Sequence, residues 1–169
     1  MLKRIHGWGV VIVIMTAFAV WAIGQTAPPA PNGIVMPAGW ENWSAISVTS
    51  RTDNNTMRVI LGNETAIKAA RGGHANPWPD GAILAKVAWK TTQLEAWPAA
   101  NVPGDFVQVE FMLKDAKKWP DTGGWGFARW KGKDFAPYGK DAQFAMECFG
   151  CHTPMKSSDY VFTRPPMFP

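Results

Sequence analysis

Five residues near the end of the chain constrain the fold more than any other feature: Cys148-Phe149-Gly150-Cys151-His152. Two thiols three positions apart, followed at once by an imidazole, have the spacing of a c-type haem attachment site. The reason is geometric. Thiols at that separation reach the two vinyl groups on one edge of a porphyrin, and the adjacent imidazole swings beneath the ring to the iron. The motif therefore predicts one covalent haem c per chain, held through Cys148 and Cys151, with His152 as the proximal iron ligand. The competing reading is a redox-active or zinc-binding Cys-x-x-Cys pair. Zinc would need two further ligands at similar spacing, yet the chain has no third cysteine, and its other histidines are His6 and His74.

An apolar cofactor needs apolar walls. Hydrophobic residues make up 47% of the chain and charged residues 18%, enough to build a sizeable core and too little charge for wholesale disorder. Ten Trp and nine Phe against two Tyr suit either the walls of a flat cofactor or an ordinary core. The formal net charge is +4. Lys3 and Arg4 belong to the N-terminal segment, and without them the balance is near neutral, which gives no support to a nucleic-acid or anionic-membrane partner.

That N-terminal segment reads as a targeting signal. Lys3 and Arg4 form a positive end, an apolar run follows from Gly7 to Gly24, and Ala22-Ile23-Gly24 offers small residues to a signal peptidase. Residues 1–24 are thus a cleaved signal peptide or, because the run approaches the length of a membrane span, an uncleaved anchor. Either reading places the remainder outside the cytoplasm, in the periplasm. Residues 25–39 read as a Pro-rich linker, and 40–169 as the folded domain.

Within that domain the pattern is strand-rich. Ser44–Thr52 and Met57–Leu61 suit strands joined by the turn-prone Asp53-Asn54-Asn55. Asn63 is a good N-cap for a helix from Glu64 to Arg71, which Gly72-Gly73 would end. Ala82–Trp89 is an apolar strand, and Asp105–Leu113 alternates, with Val107, Val109, Phe111 and Leu113 on one face and Gln108, Glu110 and Met112 on the other. A short helix is expected around Lys114–Trp119, a strand at Trp125–Trp130, and a helix over Ala142–His152. The sum is a mainly β (α+β) single domain: an antiparallel sheet with a few short helices, the haem attached near its C-terminal end.

The sixth position on the iron separates an electron carrier from an open site. The candidates are Met36, Met57, Met112, Met146, Met155, Met167 and His74, of which the methionines also suit core filling. Lys86 is the other unusual residue, alone in an otherwise apolar strand and sharing a face with Leu84 and Ala88. An edge-strand lysine with its ammonium in water is one reading. A desolvated lysine with a lowered pKa, able to act as a nucleophile, is the other.

Trp78-Pro79-Asp80-Gly81-Ala82-Ile83-Leu84-Ala85-Lys86 resembles the segment of the cytochrome P-460 family that carries a lysine–haem cross-link. Glu147-Cys148-Phe149-Gly150-Cys151-His152, Asp159-Tyr160-Val161-Phe162-Thr163-Arg164, Lys114-Asp115-Ala116-Lys117-Lys118 and Gly124-Trp125-Gly126-Phe127 are similar to further family segments. The resemblance implies a mostly antiparallel β fold, often homodimeric, with a five-coordinate haem bound by His152 and by Lys86 at a meso carbon. It implies oxidation of hydroxylamine, with nitric oxide as intermediate or co-substrate and electrons passing to a redox partner such as another cytochrome. Arg58 is expected near the haem or its propionates, and Glu110 is a candidate for distal proton transfer. Two alternatives stand beside this oxidoreductase: a non-catalytic nitric oxide-binding protein like the β-type cytochromes c′, and a plain electron-transfer cytochrome.

Overall fold

The computed structural model describes residues 27–165; the expected targeting segment, residues 1–24, and Met167 lie outside the described residues. No helix among the described residues is long and apolar enough to cross a membrane. The strands are β1 (Ser44–Arg51), β2 (Thr56–Gly62), β3 (Ile83–Leu94), β4 (Trp97–Lys114), β5 (Trp125–Lys131) and β6 (Ala136–Pro137). They form one antiparallel sheet in chain order, a meander in which each strand pairs with its sequence neighbour. Helix α1 (Glu64–Arg71) lies between β2 and β3, and α2 (Phe144–His152) follows β6.

The expected α1 is found with its expected ends. The Asn63 side chain accepts from Ala66 N at 2.9 Å, satisfying one of the free amides of the first turn. The same oxygen accepts from Ile83 N at 3.1 Å and the Asn63 amide donates to Gly81 O at 2.8 Å, so this one side chain also fixes the start of β3.

Three elements differ from the sequence expectation. β3 runs on past Trp89 to Leu94, paired with the early part of β4. β4 begins at Trp97, because pairing with β3 carries the strand through Pro98, Pro103 and Gly104, poor strand residues by themselves. No helix forms at Lys114–Trp119. Lys114 ends β4, and the Asp115 carboxylate accepts from Lys117 N and Lys118 N at 3.1 and 3.0 Å, closing a turn; a 3-10 turn at Pro120–Thr122 follows.

The sheet divides the molecule. On one face Val87, Val109, Phe111, Ala128 and Trp130 form a dry core. Trp40 and Trp43 meet the Phe111 ring edge-on, with centroids 5.9 and 6.4 Å away, and Trp130 meets it at 5.7 Å. Residues 27–39 have no regular structure, yet they are seated on this face: Ala30 and Ile34 are buried, and Trp130 Nε1 donates to Pro28 O at 2.8 Å. On the other face, α1 and α2 cover one end of the sheet through Ala66, Ala69, Leu84 and Phe127, leaving a cavity against its middle.

Candidate functional site

Period-two alternation puts every second residue of β2 to β5 on the cavity face. The register aligns Ile60, Lys86, Glu110 and Arg129 in one row across four strands. Leu84, Met112 and Phe127 lie one step to one side on the same face, and Arg58 one step to the other. The opposite wall comes from α2 and the chain after it. Cys148, Cys151 and His152, at positions i, i+3 and i+4 of a helix, share one helical face and line the same cavity of about 560 Å³. That volume is within the range of small-molecule and cofactor sites.

The charged row is tightly interlocked. Lys86 Nζ forms an ion pair with Glu110 Oε2, and Arg129 Nη2 lies 2.6 Å from Glu110 Oε1, which also accepts from Gln108 Nε2 at 3.0 Å. Burial first, then the charges of Arg58 and Arg129, lower the Lys86 ammonium to about 8. The ion pair with Glu110 favours the charged amine and so works in the opposite direction. The lysine is therefore the desolvated one of the two readings, not a solvated edge residue. Arg58 is half-buried and pairs with no carboxylate among the described residues; its Nε donates to Thr56 Oγ1 at 3.3 Å.

His152 is oriented by one bond. Its Nδ1 lies 2.7 Å from the Tyr160 carbonyl. A carbonyl only accepts, so Nδ1 carries the proton and Nε2 is the free coordinating nitrogen. The ring packs between Phe127 and Phe162, with centroids at 5.3 and 5.1 Å. Burial lowers its pKa, against the Tyr160 bond, which raises it, and so favours the neutral imidazole that a metal requires.

Matching against protein families aligns residues 37–163 with Cytochrome P460. The chain belongs to the Cytochrome P460 family. No curated protein matches it at a significant level. Membership of the Cytochrome P460 family implies haem binding, and the residues present fit the group. Two thiols and a preoriented imidazole face a largely apolar cavity, and Arg58 offers an uncompensated cation for an anionic substituent. Arg129 Nε is buried without a hydrogen-bond partner, so the cavity wall holds unspent polar capacity. Among the described residues no cluster of three or more His, Cys, Asp or Glu could hold a metal alone.

All six sequence-derived site residues meet in this cavity: Arg58, Lys86, Glu110, Cys148, Cys151 and His152. Of the sixth-ligand candidates among the described residues, Met112 alone lines it; His74 is exposed and outside it. Arg129 was not singled out from the sequence. The signal was present, since alternation along Trp125–Trp130 sets Arg129 on the face of Phe127 and opposite Trp130.

Proposed function

We propose that this P460 protein is an exported mono-haem c-type cytochrome that oxidises hydroxylamine at an open iron site. The observation that carries the reading is the convergence of Cys148, Cys151 and His152 with the Lys86–Glu110–Arg129 row on one cavity. Cys148 and Cys151 would hold the ring by thioethers, His152 Nε2 would bind the iron, and Arg58 would meet a propionate. Lys86, placed and desolvated as described, would form the ring cross-link. The haem, when bound, supplies the metal that takes the substrate nitrogen and the redox centre that accepts its electrons.

The chain's own contribution is enclosure and proton handling. Oxidation of hydroxylamine releases protons with its electrons, and Glu110, a carboxylate of the sheet wall held in place by Arg129, would take one. Ile60, Leu84, Met112 and Phe127 keep the remaining wall apolar. That apolar half favours the second reading, capture of nitric oxide without turnover. Electrons would leave to an external cytochrome.

The test is intact mass and peptide mapping of protein from a host that matures c-type cytochromes, with Lys86→Ala alongside. We expect one haem mass, a Lys86 peptide that travels with the haem, and hydroxylamine turnover that vanishes in the variant as the ferrous spectrum reverts to that of an ordinary c-type haem. Turnover with a free Lys86 would remove the cross-link. Binding of nitric oxide without turnover would select the second reading, and refusal of carbon monoxide by the ferrous protein would select a six-coordinate electron carrier.

A further inference from the structure

Asp159 and Tyr160 both adopt left-handed backbone conformations, with φ of 51° and 64°. Neither is glycine, and two such residues in succession persist only where the surroundings hold them there. The surroundings here come from three distant parts of the chain. The Asp159 carboxylate is buried; it accepts from Trp78 N at 2.8 Å and pairs with Lys114 Nζ at 2.7 Å. The Asp159 carbonyl accepts from Trp125 Nε1 at 2.9 Å. Lys114, itself buried, donates in addition to Gly123 O at 3.2 Å and lies 4.9 Å from the Trp125 ring. Gly123 has no side chain where a Cβ would overlap the Tyr160 ring.

The next carbonyl along is that of Tyr160, the acceptor for His152 Nδ1. We propose that the buried Lys114–Asp159 pair is a positioning device for His152: it fixes the left-handed turn that aims the Tyr160 carbonyl at the imidazole, and so sets the orientation and donor strength of the iron ligand. Neither residue lines the cavity, and neither is hydrogen-bonded to the ring of His152. Their influence passes through one backbone oxygen. A hydrogen bond from the non-coordinating nitrogen raises the basicity of the ligating one, which strengthens the metal bond and favours the oxidised metal. The inference rests on the reading of His152 as the iron ligand.

The test uses haem-loaded protein, its Lys114→Met, Asp159→Asn and Lys114→Arg variants, resonance Raman of the ferrous iron–histidine stretch, and redox titration. Asp159→Asn keeps the side-chain shape and a residue tolerant of left-handed backbone, so it remains informative if Lys114→Met fails to accumulate. We expect the stretch to move to lower frequency and the reduction potential to rise in Lys114→Met, to a lesser extent in Asp159→Asn, and both to return towards the parent values in Lys114→Arg. Loaded Asp159→Asn or Lys114→Met with the parent's stretch and potential would overturn the inference while leaving the haem assignment intact. Parent protein that binds carbon monoxide in the ferrous state, and so has an open sixth position, yet shows no iron–histidine stretch would instead overturn the ligand assignment itself.

Discussion

Adjacent residues of the same strands do opposite work on the two faces of this sheet. Val87, Val109 and Trp130 point into a dry aromatic layer, while their neighbours Lys86, Glu110 and Arg129 point into the cavity and interlock as ions. The first face holds the fold by area and shape. The second face places three ionisable groups in a partly buried row, which is costly unless each has a partner, and one of the three is left far from its ordinary pKa. The contrast teaches that a meander can separate stability from chemistry at the resolution of single residues, with no separate domain for either.

That separation can be broken from its stable side first. Trp130→Ala opens a large hole beneath Phe111 and removes the bond to Pro28 O, and should cost about 3–5 kcal/mol by urea denaturation. Protein that still loads haem should keep the parent spectrum, since the indole faces away from the cavity. A loss under about 1 kcal/mol would show that the aromatic layer is not the main support.

Next in size is a pH effect from the chemical face. The Lys86 pKa falls from 10.5 to about 8 on folding, so between those values the unfolded chain binds more protons than the folded one. In protein whose Lys86 is not bonded to a ring, stability should therefore rise with pH from about 8 to 10.5, by at most about 3 kcal/mol before the Glu110 contact reduces it. Lys86→Met should flatten that slope in the same titration, and so should formation of the cross-link. A parent without cross-link whose slope matches that of Lys86→Met would remove the desolvated lysine from the account.

The smallest expected effect sharpens the contrast most. Arg58→Ala should change stability by no more than about 0.5 kcal/mol, because the guanidinium has no carboxylate partner to lose. The haem-to-protein ratio of the purified variant should nonetheless fall. A full complement of haem would detach Arg58 from cofactor binding.

Much of this arrangement was legible in the sequence because local rules settle it. The Asn63 cap fixes α1, alternation over Asp105–Leu113 separates Glu110 from Val109, and the thiol–imidazole spacing marks the haem wall. The rest was set by partners remote in the chain. β4 extends across two prolines because β3 lies beside it. Arg129 joins the site because β5 pairs with β4 at Glu110. The expected helix after Lys114 is pre-empted by the side chain of Asp115 and by the pull of Asp159, 45 residues away, on Lys114 itself.

The meander order has a kinetic consequence. Every sheet pairing joins strands that follow one another in the chain, so the loop-closure entropy of assembling the six strands is met in small steps. Long-range ties are made by both flanks: Trp130 Nε1 reaches Pro28 O on the dry face, and on the cavity side Asn76 meets Ser157 O and Trp78 meets Asp159 across 81 residues. A nascent chain can thus complete its barrier-lowering local contacts before the wall that bears the thiols swings into place, and the fold is topologically last to close where its cofactor has to enter.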